Sequence, residues 1–200
     1  MIWAVVLAAG RSERMGSAKL LLPVGRSTLI ETVISGVLRS RPDGIIIVLG
    51  ADRKKLEPVV GKYPVRTVFN PDFEQGMLSS VKRGFKALPP EARAVLVFLG
   101  DQPASPASVA SRIIDAYRKT GKGIVLPAYR GRRGHPVLID LKYRDEVGAL
   151  DPRIGLRQLP RAHPDDVFEV RVRTAAVLRD IDTPEDYRAL LKSRRALGND

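Results

Sequence analysis

Two kinds of hydrophobic pattern alternate along the 200-residue chain. Apolar runs without a polar break (Ile2–Leu7, Gly44–Gly50 and Ala94–Leu99) predict strands buried on both faces. Between them, apolar positions recur at helical spacing. Leu29, Ile30, Val33, Ile34, Val37 and Leu38 follow the capping-box spacing Thr28–Glu31 and predict an amphipathic helix ending near Arg41-Pro42. Further helices are expected over Arg53–Val60, over Gly76–Leu88 before Pro89-Pro90, and from Ser105-Pro106 to about Lys119. Val65–Phe69, broken by Asn70-Pro71, reads as a strand, as do Ile124–Leu126, Pro136–Ile139 and Phe168–Val172. Val177–Ile181 is expected to pair beside the last of these, and residues 141–165 read as irregular to helical. Thr183-Pro184-Glu185-Asp186 opens a final helix to about Arg195.

Strand and helix alternate through roughly the first 130 residues, which predicts an α/β protein with a parallel sheet and helices on both faces. The rhythm breaks near Tyr129, so an antiparallel insertion and a mixed, mostly parallel sheet are expected. With no repeat or low-complexity linker, residues 1–200 read as one domain, with a basic C-terminal tail from about Lys192. Trp3 reads as core.

Composition narrows the chemistry. The chain has no cysteine, which excludes disulfides, thiolate metal sites and cysteine nucleophiles; two histidines exclude a histidine-rich zinc site. The N-terminal apolar run is too short to span a membrane and lacks a basic preceding region, so a cytoplasmic protein without a membrane partner is expected. A formal charge of +12 fits either an electropositive cleft for a polyanion or a solvated basic surface. Aromatic residues make up 6% and the charge forms no long runs, which argues against nucleic acid as partner.

The stretch organising the rest is 7–25, where the first strand enters a loop of small residues. Ala8, Ala9, Gly10 and Gly16 permit close backbone approach to a ligand, and Arg11, Arg14 and Lys19 match a polyphosphate. Spacing excludes the Walker loop, since Ser17 follows Gly16, and the dinucleotide fingerprint, since Ser12 replaces its second glycine. Lys19 suits a mobile point charge and Arg14 a planar fork; Arg11 serves equally as solvated surface. In open α/β sheets ligands gather beyond the carboxyl ends of strands, where the loop after Leu7, Asn70 and Asp101 all fall. Asp101 reads either as a cation ligand or as a turn aspartate. Alternation would put Asp180 and Asp182 on one face of a strand, Ile181 opposite, while Asp182 could equally only begin the last helix. Gly76-Met77-Leu78-Ser79-Ser80 stands at a helix start, where free N–H groups and hydroxyls could meet a nucleotide or merely cap the helix. Gly131-Arg132-Arg133-Gly134-His135-Pro136 is the tightest basic cluster, or simply a hairpin turn.

The segment L-A-A-G-R-S-E-R-M-G-S-A-K-L-L-L, with G-D-Q-P at 100–103 and D-I-D-T-P-E-D at 180–186, resembles the MobA-like nucleotidyltransferases, and within them the molybdenum cofactor cytidylyltransferases. That resemblance implies a three-layer αβα, Rossmann-like fold. It implies Lys19, Arg14 and Asp101 as catalytic residues, and Mg²⁺ or Mn²⁺ held by Asp101 and Asp182. Nucleotide contacts would come from Leu7, Ala8, Ala9, Gly10, Arg11, Ser12, Gly16, Lys19, Asn70, Gly76, Ser79, Ser80 and Asp101. The acceptor, a molybdopterin, would meet Gln102, Arg132, Arg133, Gly134 and His135. An ionised phosphate nucleophile needs no general base, so His135 is not required as one. Ala9 and Gln102 resemble the branch that uses CTP; the guanylyl branch typically carries glycine and methionine there. A molybdoenzyme or chaperone receiving the product is the implied partner. A guanylyltransferase, a sugar- or alcohol-phosphate nucleotidyltransferase and a non-enzymatic nucleotide or nucleic-acid binding module are the alternatives.

Overall fold

The structure, a computed structural model, describes residues 1–11, 15, 18–103 and 107–196, with side chains as far as Arg194. Its strands are β1 (Ile2–Ala8), β2 (Pro23–Val24), β3 (Ser27–Thr28), β4 (Gly44–Leu49), β5 (Arg66–Phe69), β6 (Ala94–Leu99), β7 (Ile124–Tyr129), β8 (Arg132–Arg133), β9 (Val137–Asp140) and β10 (Val167–Arg171). The helices are α1 (Leu29–Arg39), α2 (Arg53–Val60), α3 (Met77–Lys86), α4 (Ala107–Thr120), α5 (Arg144–Ala149), α6 (Gln158–Ala162) and α7 (Pro184–Ala196).

All seven residues of β1 are buried, as an uninterrupted apolar run requires when helices cover both sides of a strand. β1 lies between β4 and β6, parallel to both; the sheet order is β10-β7-β9-β6-β1-β4-β5, with β8 beside β7, and β2 and β3 form a separate ribbon. β9 runs antiparallel to β6 and β7, which is the expected insertion, and β10 returns parallel to β7. The sheet is therefore mixed, mostly parallel, and sandwiched between helices. Period-2 alternation divides β1 between two cores. Ala4, Val6 and Ala8 pack with residues of α1 and α4, while Trp3, Val5 and Leu7 pack with residues of α3, α5 and α6.

Local rules act where the spacing placed them. The Thr28 N–H donates to Glu31 Oε2 at 2.7 Å and the Glu31 N–H to Thr28 Oγ1 at 3.4 Å, closing the capping box of α1. Thr183 and Asp186 make the equivalent reciprocal pair at the start of α7. Val177–Ile181 is not a strand: Ala175–Leu178 form a 3₁₀ turn. Its backbone is engaged by loops instead, with the His135 N–H donating to the Val177 carbonyl and the Ile181 N–H to the Asp101 carbonyl, both at 3.0 Å. The basic stretch from Lys192 continues α7 to Ala196. Ser105-Pro106, expected to open α4, lies outside the described residues. Among the described residues no helix is long and apolar enough to cross a membrane.

Candidate active site

The parallel registers Leu7↔Leu99 and Ala8↔Leu49 bring the carboxyl ends of β1, β6 and β4 to one sheet edge. Beyond β6 the chain must stay against β1 to present the next side chain there. Gly100 allows it: its N–H donates to the Leu7 carbonyl at 2.9 Å, and a Cβ on Gly100 would stand 2.7 Å from that oxygen. Asp101 follows, and its carbonyl anchors Ile181, so the 180–182 segment is fixed against the same loop. Ile181 is buried and its two neighbouring aspartates reach the Asp101 region, in a segment without regular secondary structure rather than the strand expected.

Lys19 joins these pieces. It opens the 3₁₀ turn Lys19–Leu21, anchored by the buried Leu20. Its Nζ donates to Asp101 Oδ2 at 2.6 Å and to Asp182 Oδ1 at 2.8 Å. Burial works to lower the Lys19 pKa, yet Asp101 and Asp182 outweigh it and hold the ammonium above its ordinary value. For Asp101 the balance goes the other way. Burial raises its pKa, Asp180 and Asp182 push in the same direction, and Lys19 only partly offsets them. Two carboxylate oxygens from distant segments thus converge on a single cationic position. A hard divalent ion that takes one or two carboxylates plus phosphate oxygens fits this donor set. Buried Gln102 donates from Nε2 to Asp180 Oδ1 at 2.6 Å and does not line the cavity on which Arg133 and His135 stand.

On the other side of β1, Asn70 is buried and ties β5 to α3: its Nδ2 donates to Ser79 Oγ at 2.8 Å and Ser80 Oγ at 3.0 Å, and its Oδ1 accepts from the Asp72 N–H. Ser80 is buried with it, which leaves Ser79, Gly76 and the start of α3 as the surface facing outward. Gly76 has φ 91°, the left-handed region that glycine enters without strain. Arg11 pairs with Glu74 and lies over the Phe73 ring, 5.6 Å from its centroid. A Cβ on Gly10 would meet nothing within 4 Å, so the loop offers open backbone there. Ser12, Arg14 and Gly16 lie outside the described residues.

A cavity of about 660 Å³ opens on the α3 side of the sheet. It begins at Leu7 and His135 and runs across β6, β9 and β7, floored by Val97, Ile124, Leu126, Val137 and Ile139. The antiparallel register Val97↔Val137, continued by two residues, sets His135 level with Leu99 and hence near Asp101. Burial pushes the His135 pKa down to about 4 against the pull of Asp101, so the imidazole is neutral at physiological pH. Of the sequence-predicted acceptor residues, Arg133, Gly134 and His135 line the cavity, with Arg133 paired to Glu169 at 2.8 Å; exposed Arg132 stands on β8 and does not. The opposite wall is Pro152–Arg161, within the stretch read from sequence as irregular to helical and given no site role there. A signal was there: Arg153, Arg157 and Arg161 recur every four residues among apolar ones.

Residues 4–167 match the MobA-like NTP transferase domain family. The chain belongs to that family. It is a nucleotidyltransferase. The molybdenum cofactor cytidylyltransferase of Escherichia coli (strain K12) is 31% identical, with 92% of each chain covered. The nicotine blue oxidoreductase of Paenarthrobacter nicotinovorans is 32% identical, over 95% of this chain and 96% of that one. The Mycobacterium tuberculosis protein Rv0371c, solved in complex with manganese, superposes with a TM-score of 0.82 at 28% identity, covering 96% of this chain and 98% of that chain.

Proposed function

We propose that this nucleotidyltransferase moves CMP from CTP to the phosphate of a molybdopterin-type acceptor, releasing pyrophosphate, in the presence of Mg²⁺ or Mn²⁺. The observation carrying the reading is the convergence of Asp101 and Asp182 on the position filled by the Lys19 ammonium, 2.6 and 2.8 Å away, at the carboxyl edge of β1 and β6. Asp101 and Asp182 would hold the divalent ion, which when bound neutralises charge on the triphosphate and favours its expulsion as pyrophosphate.

The chain's own residues do the rest. Lys19, drawn from the carboxylates to the triphosphate, supplies positive charge where negative charge builds; the fork of Arg14 and the amides near Gly10 add to it. An oxygen of the acceptor phosphate attacks the α-phosphorus of CTP; a new P–O bond forms as the bond to the bridging oxygen breaks, and that oxygen leaves with its electron pair on pyrophosphate. The attacking oxygen is already ionised, so His135 remains neutral and shapes the site instead of moving a proton. Holding the two phosphates in line is the protein's main contribution. Asn70, Ser79 and the start of α3 offer the surface for base and sugar, and the cavity beside His135 takes the acceptor.

Cytosine is favoured by Ala9 and Gln102, which resemble the cytidylyl branch, and by the activity named for the E. coli relative. The reading includes a one-domain enzyme in the cytoplasm whose product passes to a molybdoenzyme or its chaperone. Nothing in the Lys19–Asp101–Asp182 geometry favours the redox chemistry named for the Paenarthrobacter relative.

Calorimetric titration with CTP and GTP, each with and without Mg²⁺, tests the reading. CTP should bind more tightly than GTP, and only with the metal. A preference for GTP would move the protein to guanylyl transfer, and metal-independent binding of both would remove Asp101 and Asp182 from nucleotide handling.

A further inference from the structure

Lys19 holds the junction together only until a nucleotide arrives. Its ammonium bridges Asp101 and Asp182 in the nucleotide-free protein, and on the transfer reading it moves to the triphosphate. A third carboxylate stands close by: Asp180 and Asp182 both push the Asp101 pKa up, as neighbouring like charges do. When the lysine leaves, that repulsion works to part the 180–182 segment from Asp101. Keeping Asp182 beside Asp101 then falls to contacts that do not involve Lys19.

Two such contacts join the loops. The Ile181 N–H donates to the Asp101 carbonyl at 3.0 Å, and next to it Gln102 Nε2 donates to Asp180 Oδ1 at 2.6 Å. One bond alone would let the segment swing about it; a second at the adjacent residue removes that freedom. Gln102 is suited to supply it. The residue is 7% exposed and borders a gap of only about 10 Å³, shared with Thr32 and Gly36 of α1, Phe98 of β6 and Ala107 of α4, so its amide has little room to turn. Its bond to a carboxylate is charge-assisted, yet the amide carries no charge of its own. It therefore holds Asp180 without being drawn to a triphosphate as a second cation would be. The same bond engages one Asp180 oxygen that could otherwise turn to an ion.

We propose that Gln102 and Asp180 are positioning residues: their bond keeps Asp182 beside Asp101 when Lys19 leaves, and Asp180 is not itself an ion ligand. This rests on the reading that Asp101 and Asp182 receive the divalent ion. It moves Gln102 from the acceptor, where resemblance put it, to the ion.

Calorimetric titration of the full chain with Mn²⁺, without nucleotide and in the Lys19→Met background where no ammonium competes, tests the proposal. Gln102→Leu leaves Asp180 without its amide partner and should weaken Mn²⁺ by about tenfold or more. Were Asp180 a ligand restrained by Gln102, the same substitution would release it and Mn²⁺ would bind more tightly. That result, or an unchanged affinity, overturns the proposal. Asp180→Asn keeps an oxygen for Gln102 and should stay within about threefold of its parent, since only one further charge is lost. Asp180→Ala, at an exposed position, should weaken Mn²⁺ as Gln102→Leu does. Equal large losses for the asparagine and alanine variants would make Asp180 a ligand and overturn the positioning role. Thermal melts of each variant confirm folding. Titration of the wild type with Mg²⁺–CTP separates this proposal from the transfer reading. Mn²⁺ affinity that follows Gln102 in a protein that binds no Mg²⁺–CTP supports the pair and sinks the transfer reading. Binding of Mg²⁺–CTP with Mn²⁺ affinity indifferent to Gln102 does the reverse. A Lys19→Met protein that binds no Mn²⁺ overturns both the ion site and the pair that serves it.

Discussion

The lysine–carboxylate junction and the cavity beside it share one sheet edge but solve opposite problems. At the junction the charged groups are held by partners: Lys19 stands 2.6 Å from Asp101 and 2.8 Å from Asp182, and the neutral Gln102 amide stands 2.6 Å from Asp180. In the cavity the floor is apolar strand, while Arg157 and Arg161 on its wall are exposed and have no ion pair among the described residues. A centre where charge develops works best when its groups are fixed beforehand, since no reorganisation is then needed during reaction. A site that must choose among acceptors gains by leaving charges for the right ligand to neutralise. Substitutions at the junction should therefore change rate, and those in the cavity affinity.

The largest separation of the two comes from Asp101→Asn. Turnover, followed as pyrophosphate release, should fall by a factor of about 10² to 10³ or more, the usual cost of one well-placed electrostatic group. Stability should hold or rise, because burial disfavours the Asp101 charge and the neutral amide removes that penalty. A variant that keeps most of its activity would take Asp101 out of the reaction.

Lys19→Met tests whether lysine and metal share a position. Turnover should again drop by about 10² to 10³. In the nucleotide-free protein, however, Mn²⁺ should bind about tenfold more tightly by calorimetry, since the ammonium no longer competes for Asp101 and Asp182. Unchanged Mn²⁺ affinity would mean that Lys19 does not stand where the ion goes.

The same divide decides what the sequence discloses. In β1, β4 and β6 each strand carries its own evidence: six or seven consecutive apolar residues, all or nearly all buried, lead straight to the loops that hold charge. The place of Asp101 at the sheet edge was legible because only Gly100 separates it from such a strand, while its role as a cation ligand came from the resemblance. Its partners were less so. Asp182 was carried by resemblance, and the expected strand through Ile181 failed because the backbone there bonds to the Asp101 loop, a contact across 80 residues that no local pattern encodes. Gln102 was assigned to the acceptor by resemblance, and its hydrogen bond to Asp180, 78 residues away, is a contact that no local pattern encodes. The cavity wall at 152–161 was missed for a related reason. Its form comes from Gln158 bonding to the carbonyls of Asp151 and Gly155, a side-chain tie to backbone that hydrophobic periodicity does not report.

Gly100→Ala sharpens the comparison at a smaller scale. The added methyl would meet the Leu7 carbonyl at 2.7 Å, so β6 must shift away from β1 just where Asp101 begins. Overpacking of this kind costs about 1–3 kcal/mol, readable as a lower urea midpoint. Turnover should fall, because the shift displaces Asp101 from its place beside Lys19. Unchanged turnover would show that Asp101 keeps its place without the close approach that Gly100 allows.

His135 lies where the two regions meet, and its effect should be the smallest. Its folded pKa of about 4 is below the ordinary 6.5, so the unfolded chain binds the extra proton first. The stability it confers is complete above pH 6.5 and is lost as pH falls toward 4. One proton taken up only by the unfolded chain gives a slope of at most about 1.36 kcal/mol per pH unit, and partial exposure of the ring reduces it. Comparing urea midpoints of wild type and His135→Gln between about pH 7.5 and pH 5 isolates this group, because the other titratable groups are common to both proteins. Over that window wild type should lose stability faster than His135→Gln, whatever their difference at pH 7.5. Parallel curves would mean that the imidazole accepts a proton in place, with the Asp101 charge near enough to compensate for burial. The cavity and the carboxylates would then form one electrostatic site, and acceptor binding should respond to Asp101→Asn as well.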